Sequence, residues 1–255
     1  MPPRAPWESI SGLGGLHNAM IAPLGKLPMA GALWYQGESN AGDATGYERL
    51  LEALIAGWRS RFGAALGFIV VQLPNFGTPP IQPGESGWAR IRDAQRRAAV
   101  ADPATGLVVI IDAGDDRDLH PPNKLLVGQR AANVAGALVY GSSAIVDGIG
   151  PVRAWMQGAR TLVEFVPPEE TLVVAGDSTP VAFELCGDDA SSCVYADAER
   201  VDNRILLTAP DMPDPRRVRY CWADAPICNL YGSSGLPVGT FEIPISHTGR
   251  TSPSR

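Results

Sequence analysis

Apolar and polar positions give the chain two textures, which change at about residue 148. In the first, Gly31-Ala32-Leu33-Trp34-Tyr35 is a short apolar run closed by the polar turn Gln36-Gly37-Glu38-Ser39-Asn40. Such a run predicts a buried parallel strand that delivers its last residues to a site at the sheet's C-terminal edge. Tyr47, Leu50, Leu51, Leu54, Ile55, Trp58 and Phe62 then recur every three or four residues, one apolar stripe on a helix that Gly63 ends. Phe68-Ile69-Val70-Val71-Gln72-Leu73 predicts a second strand, broken by Pro74. A second helix runs from Trp88 through Ile91 to Ala99, with Arg90, Arg92, Arg96 and Arg97 read as a solvated face. Leu107-Val108-Val109-Ile110-Ile111 predicts a third strand, and residues 124 to about 140 a third helix. Alternation of this kind implies a parallel sheet between helix layers, a three-layer α/β/α sandwich.

Beyond residue 148 helical periodicity stops. Thr161-Leu162-Val163-Glu164-Phe165, Val181-Ala182-Phe183-Glu184-Leu185, Arg204-Ile205-Leu206-Leu207 and Val218-Arg219-Tyr220-Cys221-Trp222 alternate between Pro, Gly and Asp breaks, as strands of an antiparallel sheet do. The expected architecture is an α/β domain over residues 1–147, a small β-sandwich over 148–247 and a disordered polar tail over 248–255. No internal repeat is present.

Composition narrows the partners. Hydrophobic residues make up 45% and charged residues 19% of the 255, and no apolar run is long enough to span a bilayer, so no membrane partner is expected. A net charge of -6 without any Lys/Arg stripe excludes nucleic acid and favours a neutral or small polar ligand. Residues 1–7 carry no apolar core of a signal peptide. The four cysteines form two equally spaced pairs, Cys186/Cys193 and Cys221/Cys228, compatible with two short disulfide loops or with four buried thiols.

Two loops carry candidate chemistry, each leaving the C-terminal end of a predicted strand. The first, residues 36–40, sets an amide, a carboxylate and a hydroxyl around Gly37, whose bare backbone permits close approach. Ser39 and Asn40 also suit the capping of a following helix. The second is Asp112-Ala113-Gly114-Asp115-Asp116-Arg117-Asp118-Leu119-His120-Pro121. Here His120 lies among carboxylates able to fix its tautomer, Asp118 being nearest in sequence. A histidine oriented by an aspartate lacks only a serine to complete an acyl-transfer triad. His17 and His247 read as structural or solvated. Without HExxH, CxxC or a glycine-rich phosphate loop, neither metal nor cofactor is expected.

The blocks Leu16-His17-Asn18-Ala19-Met20-Ile21-Ala22-Pro23-Leu24, residues 31–40 and Asp118-Leu119-His120-Pro121-Pro122-Asn123-Lys124 resemble the sialate O-acetylesterase family of SGNH hydrolases. Val218-Arg219-Tyr220-Cys221-Trp222-Ala223-Asp224, Asn229-Leu230-Tyr231 and Gly235-Leu236-Pro237 are similar to its C-terminal β-region. The resemblance implies hydrolysis of O-acetyl esters on carbohydrate such as sialic acid or plant polysaccharide, without cofactor, in a secreted or periplasmic protein. Carried over, His120 is the base, Asp118 its orienting carboxylate, Gln36 an oxyanion donor, and Gly37, Glu38 and Asn40 the support of the site.

The sequence departs from the family in one block. Relatives carry their nucleophile in an upstream Gly-Gln-Ser-Asn segment beside a further parallel strand, and no such block precedes Leu16 here. The implied α/β domain is incomplete, with residues 31–35 as an open sheet edge through which the chain would form a homodimer. Gly37-Glu38-Ser39-Asn40 echoes the absent block and makes Ser39 the candidate nucleophile, although relatives carry a serine there without using it. The alternative is a catalytically inactive fragment, or a carbohydrate-binding or assembly remnant of such an esterase.

Overall fold

The computed structural model describes residues 14–143, 148–167, 169–176, 179–189 and 191–246. His247 and the tail lie outside the described residues. Three strands, β1 (Gly31–Tyr35), β2 (Gly67–Val71) and β3 (Thr105–Val108), pair in parallel in the order β1-β2-β3. Register runs Gly31 with Gly67 to Tyr35 with Val71, and Phe68 with Thr105 to Val71 with Val108. The third strand starts and ends earlier than its apolar run suggests; Ile110 and Ile111 stay buried beyond its end.

Strand alternation divides the core. Phe68 and Val70 of β2 face α1 (Tyr47–Phe62) and α2 (Gly87–Ala101), packing with Leu51, Ile55, Trp88 and Ile91. Ile69 and Val71 face the other way, onto Val127, Ala131 and Val134 of α3 (Lys124–Tyr140). The result is the expected helix–sheet–helix layering, with β1 at an edge and Leu33 56% exposed.

The second half contributes β4 (Gly150–Gln157), β5 (Arg160–Val166), β6 (Leu172–Val174), β7 (Phe183–Cys186), β8 (Cys193–Tyr195), β9 (Asp197–Val201), β10 (Arg204–Thr208), β11 (Arg217–Tyr220), β12 (Leu230–Gly232) and β13 (Phe241–Ser246). Eight of them follow one another as β8-β7-β11-β13-β4-β5-β10-β9, while β12 and β6 form a separate ribbon. All pairings are antiparallel except β13 with β4, which join the two halves of the sheet at only two positions. Both halves bury one apolar core: Phe165 on β5 meets Phe241 on β13 edge-on at 6.0 Å. Two disulfides, Cys186–Cys193 and Cys221–Cys228, settle the cysteine pairing left open by spacing.

The arginine row on α2 is solvated only in part: Arg90 and Arg97 are exposed, Arg96 is half-buried and Arg92 is buried. Arg92 is 0% exposed, donating to the carbonyls of Leu73 (2.9 Å), Pro74 (2.7 Å), Ala223 (2.7 Å) and Asp224 (2.7 Å). The first two follow β2 and the last two follow β11, so a single guanidinium bolts the parallel sheet to the β-region. Burial draws its pKa down to about 9. Arg96 and Arg97 both pair with the buried Asp93, whereas Arg90 pairs with Glu85 nearer the surface.

Candidate active site

The turn after β1 is held from behind. Gly37 has φ +153°, and a Cβ there would stand 2.8 Å from Ile91 Cγ2, so glycine alone lets the turn press onto α2. The Gln36 carbonyl accepts hydrogen bonds from the Tyr47 hydroxyl and from Gln95 Nε2, each at 3.0 Å. Gln95 is buried and also accepts the Leu73 N–H at 3.2 Å, joining the β1 turn to the end of β2. Gln36 Nε2 donates to Asn40 Oδ1 at 2.8 Å, cross-bracing residues 36–40. Burial, followed by the charge of Glu38, pushes the neighbouring Tyr35 phenol up to about 12. Ser39 is exposed, within a 3-10 turn at Glu38–Asp43.

The histidine loop leaves the sheet after β3 and crosses the end of β2. A Cβ on Gly114 would stand 2.2 Å from the Asn75 carbonyl, and Asp115 bridges Phe76 in parallel register. Asp112 holds Arg130 of α3 through two hydrogen bonds of 2.6 and 2.7 Å. Asp115 accepts the N–H groups of Arg117 (2.8 Å) and Asp118 (3.0 Å), and these bonds hold its carboxyl below the usual range.

His120 is exposed between two anchors. Leu119 packs with the core that includes Ala41, in the turn that follows Ser39. Lys124 Nζ lies 5.3 Å from the Tyr35 ring centroid, over the last residue of β1. The two loops predicted from sequence therefore converge on one sheet edge. Asp118 binds the main-chain N–H of His120 at 2.8 Å, fixing the histidine's backbone rather than its ring. No hydrogen bond joins the Ser39 hydroxyl to the imidazole among the described residues. Tyr47 and Gln95, which secure the Gln36 carbonyl, carried no sequence signal beyond membership of a helix stripe. His17 is exposed in a π-helical turn at His17–Ile21.

A parallel sheet between helices, with a β-region bolted on, is an SGNH-like α/β fold. Residues 13–135 match the family described as carbohydrate esterase, sialic acid-specific acetylesterase. The sialate O-acetylesterase of Rattus norvegicus is 27% identical over 92% of this chain and 48% of its own length; the Homo sapiens protein is 29% identical over 92% and 50%. A crystal structure of a carbohydrate acetylesterase from Xanthomonas citri superposes with a TM-score of 0.82 at 35% identity, covering 89% of this chain and 53% of that one. The chain is thus similar to the sialate O-acetylesterase family of carbohydrate esterases, by its family match over residues 13–135 and by its relatives over most of its length. It spans about half the length of the curated relatives it matches.

Proposed function

We propose that this chain hydrolyses O-acetyl and other short acyl esters on carbohydrate, with Ser39 as nucleophile and His120 as base. The observation that carries this reading is the convergence of the two loops through the Lys124–Tyr35 contact and the shared packing of Leu119 and Ala41. Ser39 Oγ attacks the acetyl carbonyl while His120 takes its proton and passes it to the departing sugar hydroxyl. Water, deprotonated by His120, then cleaves the acetyl-enzyme to release acetate. Gln36 Nε2 and the backbone N–H groups of the turn donate to the developing oxyanion, each such donor being worth ~2.7–4 kcal/mol. Glu38 and Asn40 brace the turn, and Asp118 positions His120 through its main chain.

A second reading is favoured by the absence of a Ser39–His120 hydrogen bond: the chain supplies the histidine half of a site whose nucleophile lies in another segment or subunit. The outer edge of β1, unpaired among the described residues, is where a second copy would add, since an unpaired strand edge with an exposed apolar residue templates pairing. Hydrolysis of p-nitrophenyl acetate by wild type, Ser39→Ala and His120→Ala distinguishes the two. Loss of nearly all turnover in both variants establishes Ser39. An inactive wild type, or loss in His120→Ala alone, transfers the nucleophile elsewhere.

A further inference from the structure

The β-region holds a pocket of about 440 Å³ that the proposed ester site does not use. Its walls include Pro80 from the loop after β2, Tyr195 at the end of β8, and Trp222, Pro226 and Ile227 from the loop after β11; Glu184 on β7 also lines it. Both disulfides brace these walls. Cys186–Cys193 ties β7, next to Glu184, to β8, which ends at Tyr195. Cys221–Cys228 closes the loop that carries Trp222, Pro226 and Ile227. The pocket is thus preorganised, and the ordering cost of binding is low.

Two polar atoms of its wall residues, both closed to solvent, lack hydrogen-bond partners. Glu184 is 2% exposed, and its Oε2 has no hydrogen bond, the Arg219 Nη1 standing 4.0 Å away. Trp222 Nε1–H is likewise buried and unpartnered. Buried polar groups cost stability unless satisfied, so an occupant that supplies both an acceptor and a donor is favoured over a purely apolar one. Among the described residues no lysine or arginine lines the pocket, and Arg219, behind Glu184 and the Trp222 ring, is committed to Glu85 and Glu242, so an anionic occupant finds no free counterion there. Aromatic and proline faces suit the C–H face of a sugar ring.

We infer that this pocket is a second binding site, for a neutral pyranose of a glycan chain. The walls take the apolar face, and a turn of the Glu184 or Trp222 side chain brings its hydrogen-bonding atom, closed to solvent in the empty pocket, onto a ring hydroxyl. Pro226 and Ile227 also border a neighbouring pocket that contains Asn75 and Asp112, and Asn75 is the residue against which Gly114 of the histidine loop packs. A glycan seated here therefore runs across that ridge toward His120. Binding in the pocket does not require hydrolysis, so it stands or falls apart from the esterase reading.

The test is saturation-transfer NMR and calorimetric titration of the 255-residue chain with cellobiose and lactose, against N-acetylneuraminic acid and cyclohexanol. The variants are Ile227→Asp and Tyr195→Ala, both at exposed positions, 68% and 42%, outside the buried core. Expected are saturable binding of a neutral disaccharide and at least tenfold weaker binding in both variants. Their thermal unfolding and any p-nitrophenyl acetate turnover stay at wild-type values. Absence of disaccharide binding, equal or tighter binding of N-acetylneuraminic acid or cyclohexanol, or variants that bind as wild type would overturn the assignment.

Discussion

Replacing Glu184 by glutamine turns its burial into a measurable pH dependence. The carboxyl is buried, and that burial pushes its pKa from 4.5 up to about 8; Arg219 opposes the shift, while Glu85 and Glu242 add to it. The folded state therefore holds a proton that the unfolded chain releases above pH 4.5. Stability from this proton is fully present below about pH 4.5 and is lost as pH rises through about 8. Each pH unit in that window removes about 1.4 kcal/mol, so wild type forfeits on the order of 5 kcal/mol by pH 9. Glutamine keeps the volume and has no proton to lose. Urea denaturation of both proteins from pH 4.5 to 9 reads the difference directly, because carboxylates shifted the other way, such as Asp102 and Glu164, cancel between them. The variant gains steadily on wild type across the window. A difference that stays flat to within about 1 kcal/mol would refute the reasoning, showing that Arg219 keeps Glu184 ionised in the folded protein.

Arg92→Met removes the guanidinium and leaves the buried carbonyls of Leu73 and Ala223 without that donor. At about 1–3 kcal/mol for each unsatisfied group, urea denaturation should show a loss of about 3 kcal/mol; a loss below about 1 kcal/mol removes Arg92 as the bolt between sheet and β-region. At the open edge, sedimentation velocity should find wild type as a dimer and Leu33→Lys as a monomer, since an edge lysine blocks strand addition. A wild-type monomer at tens of micromolar sets aside self-association through β1.

Helix periodicity was legible because it answers to one buried face. The stripe from Tyr47 to Phe62 and the span from Lys124 to Tyr140 coincide with α1 and α3, and Gly63 caps the first with φ +122°. Strands β6, β8 and β12, each of three residues, are too short to show alternation, and β13 carries Pro244 inside its run. Arg92 was misread because charge was taken as exposure. Its position argued otherwise, since Trp88, Ile91, Gln95 and Ala98 follow a three-and-four stripe on which Arg92 also falls, and all five are buried.

The same helix explains why a candidate site is easier to read from sequence than its supports. Residues 36–40 and His120 announce themselves by side-chain chemistry after a strand, whereas their supports act through backbone atoms, which no motif records. Gln95 reaches the Gln36 carbonyl, Gln72 binds the Arg92 carbonyl at 2.9 Å, and Ser86 caps α2 while donating to Asp224 Oδ1 at 2.5 Å. Arg92 then reaches the Ala223 and Asp224 carbonyls beside the wall of the second pocket. One face of α2 thus fixes both the turn proposed to hold the nucleophile and the loop proposed to hold a sugar. With its polar groups committed and its glycine contact at Gly37 closed to any Cβ, that face has little freedom to slide. The proposed ester site and the proposed sugar pocket are in consequence held in one fixed relation, as required if a single glycan is to occupy both.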